Sequence, residues 1–306
     1  MSQRIQTPAE ITGPSASNVV WLRLPDSSLF AQRGKRLRQL AHGHPIGDYL
    51  EFIAKLADSQ QWALANMPPI ALPGTMMLAQ CRAHGMPPLN FQSHRRDGAW
   101  CDLLRRMLRL LAESTQGEPR RIALELERAR DELFEAQASK LLAGIFLGLD
   151  RAFAPLIGAA LQVYWLHLVT TLGQEAFAPT DAAPVCPACG SRPVASVVRI
   201  GGQESGHRYL HCSLCSTEWH MVRIKCSHCE STGGVHYHAI EGKGQSVLAE
   251  SCEDCGTYLK ILHMDKDPQL EATADDLAST ALDLLMADTG KLRSGQNFML
   301  VPGDED

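Results

Sequence analysis

Residues 186–230 read CPACGSRPVASVVRIGGQESGHRYLHCSLCSTEWHMVRIKCSHCE, and residues 249–256 read AESCEDCG. Eight of the ten cysteines lie in this region as four Cys-x-x-Cys pairs: Cys186/Cys189, Cys212/Cys215, Cys226/Cys229 and Cys252/Cys255. Adding 40 to 186, 189, 212 and 215 gives 226, 229, 252 and 255, and 22 residues separate the two pairs within each half. A fixed period of this kind marks an internal repeat. Two thiols spaced i, i+3 on a tight loop can face one ion, and two such loops complete a tetrahedron. The pattern predicts two tandem metal sites. Cys186, Cys189, Cys212 and Cys215 form the first; Cys226, Cys229, Cys252 and Cys255 form the second. A cross-braced arrangement would join the first pair to the third and the second to the fourth. The repeat argues against it, because each 40-residue unit already holds a complete ligand set.

Working outward, the segments between the knuckles favour short strands. Val194–Ile200 and Tyr209–His211 flank a turn at Gly201, Gly202 and Gly206, while His236–Ile240 and Ser246–Ala249 flank Gly242 and Gly244. Each half therefore reads knuckle, hairpin, knuckle, over residues 186–223 and 224–265. Downstream, residues 272–306 predict a C-terminal helix and tail. Thr273 and Asp276 make a capping pair, Ala274, Leu277, Ala278, Ala281, Leu282 and Leu285 an apolar face, and Gly290 a C-cap. Upstream, residues 31–178 have helical periodicity. Leu50, Ile53, Leu56 and Ala57 share a face within Asp48–Asn66, and Trp100, Leu104, Met107, Leu108 and Leu111 form a second stripe. Pro119 suits a first helical turn, with Ile122, Leu126, Ala129 and Leu133 continuing a periodic face. Residues 1–30 read as a loosely held arm, and AFAPTDAAPV (176–185) as a linker. The expected fold class is α+β: an N-terminal all-helical domain, two tandem small β metal modules and a C-terminal helix.

The stretch APLIGAALQVYWLHLVTTL (154–172) has no formal charge and nearly the length of a membrane span. Pro155, Gln162, His167 and the absence of flanking basic clusters favour a buried central helix instead. With 306 residues, 45% hydrophobic and a net charge of −5, the chain supports about two domains and has no general attraction for anionic partners. The first twenty residues lack the apolar core of a signal peptide, so a cytoplasmic location is expected. In a reducing compartment regularly spaced cysteines are metal ligands more often than disulfides.

Three readings of the clusters are open from the residues alone. They can be structural ribbons, in which metal supplies the folding energy that a small β module lacks. They can be redox or electron-transfer sites. They can belong to a nucleic-acid-binding ribbon, although residues 186–263 hold seven basic and seven acidic groups and lack a basic footprint. The first knuckle, Cys186-Pro187-Ala188-Cys189-Gly190, has the Cys-Pro-x-Cys-Gly form seen in rubredoxin; Cys215-Ser216 and Cys229-Glu230 depart from it. Tetrathiolate sites accept zinc or iron, and prevalence favours zinc. The seven histidines of the region are expected to hydrogen-bond rather than ligate, and Cys101 to be a buried thiol. No Walker loop, nucleophile elbow, His-Glu-x-x-His or dinucleotide fingerprint is present, and closed four-ligand sites leave no position for water. The expectation is a binding or assembly role, with no catalytic residue.

Taken together, the string 186–230, the following AESCEDCGTYLKI and ADDLASTALDLLMADTG closely resemble the FdhE family of formate dehydrogenase accessory (formation) proteins. Arg208-Tyr209-Leu210-His211-Cys212 and Glu218-Trp219-His220 carry the likeness beyond what generic ribbons share. It covers residues from about 30 onward. The resemblance implies a cytoplasmic, non-catalytic protein needed to make active respiratory formate dehydrogenase. It also implies rubredoxin-like metal modules holding two ions, with iron as the metal and zinc as the alternative. The implied partner is the catalytic subunit of that enzyme, with neither nucleic acid nor membrane insertion. A rubredoxin-like electron carrier is the alternative function, and a nucleic-acid-binding zinc ribbon a further one.

Overall fold

A computed structural model describes residues 19–180, 184–242 and 244–301. Residues 1–18 of the expected arm, 181–183 of the linker, Lys243 and the tail 302–306 lie outside them. Among the described residues seven α-helices come before the cysteine region: α1 (Leu29–Ala41), α2 (Gly47–Ala65), α3 (Thr75–Ala83), α4 (Ala99–Ser114), α5 (Gly117–Glu127), α6 (Asp131–Ala143) and α7 (Ala154–Leu172). Each amphipathic stripe faces inward: Leu50, Ile53, Leu56 and Ala57 from α2, and Trp100, Leu104, Met107, Leu108 and Leu111 from α4, are buried. The helix α7 has no polar face and runs through the middle, with every residue from Ala154 to Leu166 buried. The periodicity read through Leu133 is interrupted. Between α5 and α6 the chain leaves helical geometry at Arg130, and Leu133 emerges on the surface.

Among the described residues eight strands form one sheet: β1 (Leu22–Arg23), β2 (Pro193–Val198), β3 (Arg208–Cys212), β4 (Glu218–His220), β5 (Val235–His238), β6 (Val247–Cys252), β7 (Thr257–His263) and β8 (Leu292–Arg293). Their order is β1-β4-β3-β2-β7-β6-β5, with β8 beside β7. Each 40-residue unit contributes a three-stranded antiparallel meander, β2-β3-β4 and β5-β6-β7. The meanders are not separate beads: β2 and β7 pair in parallel, with Ser196 opposite Ile261 and Val198 opposite His263. Within the span read as an arm, Leu22 and Arg23 pair with Trp219 and Glu218, and Leu22 and Phe30 are fully buried. That end of the span is held by strand addition and apolar burial.

The C-terminal helix is broken. Residues Ala272–Ala278 (α8) and Thr280–Asp288 (α9) meet at Ser279, whose hydroxyl donates to the Asp275 carbonyl at 2.7 Å and competes with the helical ladder. The break rotates the face that follows, so Leu282 and Met286 are buried while Ala281 and Leu285 are exposed. The N-cap is Glu271, accepting from the Ala274 N–H at 2.7 Å; the expected pair, Thr273 and Asp276, is not the cap. Asp276 is instead buried against Arg293 at 2.6 Å and Lys260 at 3.4 Å. Beyond β8 the chain crosses back over the sheet at Gly295. An added Cβ there would stand 1.8 Å from the Pro193 carbonyl, so only glycine permits the crossing.

Candidate metal centres

All four knuckles share one backbone turn. The residue after each second cysteine is left-handed: Gly190 (φ +73°), Ser216 (+57°), Glu230 (+63°) and Gly256 (+68°). Glycine takes this conformation freely, whereas serine and glutamate are strained in it. The departures at Ser216 and Glu230 therefore change the residue but not the geometry. Backbone bonds repeat as well. The Gly190 N–H donates to the Cys186 carbonyl at 2.8 Å and the Glu230 N–H to the Cys226 carbonyl at 3.0 Å. Forty residues apart again, the Cys186 N–H reaches the Ser191 carbonyl at 2.9 Å and the Cys226 N–H the Ser231 carbonyl at 2.8 Å.

These turns bring the eight sulfurs together in two groups, with the tandem composition. In each group one sulfur per cysteine lies within 4.8 Å of the others. Cys186 and Cys215 are 3.6 Å apart, Cys189 and Cys212 3.4 Å, Cys226 and Cys255 3.8 Å, and Cys229 and Cys252 3.7 Å. A tetrahedron with metal–sulfur bonds of about 2.3 Å has edges of about 3.8 Å. These separations fit that figure and far exceed a disulfide bond of about 2.05 Å. Both clusters can therefore each bind one metal ion. Zinc and iron suit such a donor set equally, so geometry leaves the ion's identity open.

The electrostatics point the same way. Burial pushes the Cys186 and Cys189 thiols well above the usual range and Cys226 to about 12. Burial would also raise Cys255, but the hydroxyl and N–H of Thr257 bring it down to about 7. Cys215 is likewise held low against its burial, by the neighbouring thiols and by Thr217. Thr217 Oγ1 is 3.2 Å from Cys215 Sγ, and Thr257 Oγ1 is 3.1 Å from Cys255 Sγ. Each cluster thus has one thiol held low, Cys215 or Cys255, beside thiols raised by burial, Cys186 and Cys189 or Cys226, whose deprotonation a bound cation's charge would favour. The N–H groups of Leu214 and Cys215 donate to Cys212 Sγ, and that of His228 to Cys226 Sγ, all at 3.4 Å. Sequence reasoning missed the threonine pair; aligning the repeat two residues past its last cysteine would have found it.

The environments differ sharply. All four cysteines of the first site are buried, and its sulfurs belong to the same core as the helices. Trp165 of α7 donates to the Leu89 carbonyl at 2.9 Å, which sets the segment beside the first knuckle. The N–H groups of Leu89 and Phe91 then donate to the carbonyls of Ala188 and Cys189, both at 3.0 Å. Gln162 of α7 donates to the Ser213 carbonyl in the second knuckle at 2.9 Å. At the second site Cys229 is exposed and Cys255 half-buried.

No histidine among the described residues joins either group. Instead His211 Nδ1 lies 3.1 Å from Glu218, His238 2.8 Å from Ser251 Oγ, and His228 3.0 Å from Arg192. Of the basic side chains in the modules, Arg199, Arg208, Lys225 and Lys260 pair with Glu218, Glu250, Glu230 and Asp283. Cys81 and Cys101 are both buried, apart from the clusters, and burial pushes the Cys101 thiol to about 12.

The chain matches family profiles described as FdhE, N-terminal, over residues 20–182, FdhE, central domain, over 185–223, and FdhE, C-terminal domain, over 224–300. It is 43% identical over 311 residues to the protein FdhE homolog of Pseudomonas aeruginosa, covering all of both chains. It is also 43% identical over 278 residues to protein FdhE of Salmonella dublin, covering 90% of this chain and 89% of the relative. The crystal structure of the FdhE protein from Pseudomonas aeruginosa aligns with a TM-score of 0.83 at 42% identity, over 92% of this chain and 99% of that one. With full-length identity, the same fold and two four-sulfur clusters in hand, the chain belongs to the FdhE family.

Proposed function

We propose that this protein is a non-catalytic accessory factor for the assembly of respiratory formate dehydrogenase, acting in the cytoplasm on the catalytic subunit. Membership of the FdhE family carries the reading. The architecture supports it. One four-cysteine centre is sealed against the helical domain and the other presents a ligand residue at the surface, a suitable layout for a rigid platform with an accessible metal module. In this reading both clusters hold a metal, iron by family likeness and zinc as the alternative, through the eight cysteines named above. Substituting Cys186→Ser and Cys189→Ser is expected to abolish client binding and formate dehydrogenase activity together. Undiminished activity with that variant would contradict the proposal.

The exposure of Cys229 favours one second reading, a rubredoxin-like electron carrier whose partner approaches the second site. Anaerobically purified protein with zinc alone, and no thiolate-to-iron absorption, would remove it.

A further inference from the structure

We infer that Arg208 is the positioning residue of the second metal site, although it lies in the module of the first. The inference rests on the reading that both clusters hold metal. Arg208 opens β3, whose far end is Cys212 of the first site, and its side chain is fully buried. Its Nη2 donates to Glu250 Oε1 at 2.7 Å. Glu250 sits on β6, two residues before Cys252, and β2 and β7 lie between β3 and β6 in the sheet. Arg208 Nη1 donates to the Lys225 carbonyl at 3.0 Å and approaches the Arg223 carbonyl at 3.4 Å. One guanidinium therefore grips both chain segments that lead into the second site, one ending at Cys226 and the other at Cys252.

The segment needs such a grip. Residues 222–225 belong to no strand, and Val222 and Ile224 point outward, 49% and 67% exposed, so apolar burial does not anchor them. The first site is clamped by α7 and residues 89–91; the described residues give the second lighter contacts, Arg192 on His228 at 3.0 Å, Lys291 on Glu253 at 3.0 Å and the Leu292 N–H on the Gly256 carbonyl at 2.9 Å, none of which reaches residues 222–225. The device is also absent from the repeat itself, because the positions related by 40 residues to Arg208 and Glu250 are Leu248 and Leu210. It is costly as well. A buried ion pair loses hydration, and here Arg208 Nε has no hydrogen-bond partner among the described residues. Arginine suits the task because its planar fork reaches a carboxylate and backbone carbonyls at once, whereas lysine offers a single point charge.

The test uses full-length protein loaded with Zn(II), with metal per chain measured by elemental analysis. A competing chelator gives the affinities, and native alkylation with mass spectrometry shows which thiols are free. Arg208→Lys keeps the charge beside Glu250 but not the fork; Arg208→Met with Glu250→Leu removes both charges and strands neither. Both variants are expected to keep one Zn(II) at the first site and bind the second at least ten-fold more weakly. Alkylation should be confined to Cys226, Cys229, Cys252 and Cys255. Two ions held as tightly as in the parent would overturn the inference. Loss of both ions together, or misfolding of both variants, would overturn it equally, making Arg208 a general strut. A parent chain that takes up no Zn(II) would overturn the two-centre reading beneath it.

Discussion

Ser216 and Glu230 stand where the other two knuckles have Gly190 and Gly256, and all four adopt positive φ. A serine or glutamate held there carries on the order of 1 kcal/mol of strain, which formation of the cluster must offset. Ser216→Gly is therefore expected to stabilise the metal-loaded protein by roughly 0.5–1 kcal/mol in denaturant unfolding. Gly256→Ala should cost about 1 kcal/mol, because a Cβ there meets nothing within 4 Å and only the backbone strain remains. Equal stability for both variants would mean that the turn is not a strained element of the site. The grouping of the eight cysteines into two clusters was legible from spacing alone, since i, i+3 thiols have few other uses at a period of 40. The strain was not: a missing glycine looks like a different turn until its φ is known. Asp276 misled for a related reason, since a carboxylate near a helix start resembles a cap whether it meets the helix N–H groups or, as here, Lys260 and Arg293.

Among the elements, α7 decides how the first site is held. Its lack of formal charge, together with Pro155, Gln162 and His167, marked it as a core helix, and its one buried amide, Gln162, also accepts from Arg33 and Gln60 at 3.1 Å each while it donates to the Ser213 carbonyl. Among the described residues no helix backs the second site in this way, and Cys229 is exposed there. Excess chelator is therefore expected to strip the two metals in separate phases, the exposed site at least ten times faster than the buried one. Cys226→Ser should remove the fast phase. Lowering the pH should accelerate both, because each sulfur must be reprotonated as the ion leaves. A single rate for both ions would contradict the difference in enclosure. The two strands between the knuckles of each half were readable from local composition, whereas β4 and β7, which complete the meanders, were not read. The parallel pairing of β2 with β7 was not, because partners such as Ser196 and Ile261 are 65 residues apart and local patterning says nothing of which strands meet.

At the scale of the molecule, the two halves are bolted together through charge as well as apolar contact. Arg33 of α1 is buried against Glu271 at 3.0 Å, and Arg36 reaches Asp275 at 2.7 Å and Asp267 at 2.6 Å. The first helix thus binds the start of α8, while Lys260 of β7 and Arg293 of β8 bind its end through Asp276. Helical domain, fused sheet and C-terminal segment form one framework that fixes one four-cysteine cluster inside and displays the other. That layout is what an assembly factor needs if its metal module is to meet a large client in a fixed orientation. The most direct measurement is anaerobic purification of a tagged copy from its native host, with identification of the proteins that accompany it. The account predicts recovery of a formate dehydrogenase catalytic subunit. Its absence, with transcription or RNA-processing proteins in its place, would contradict the account and return the nucleic-acid ribbon to first place.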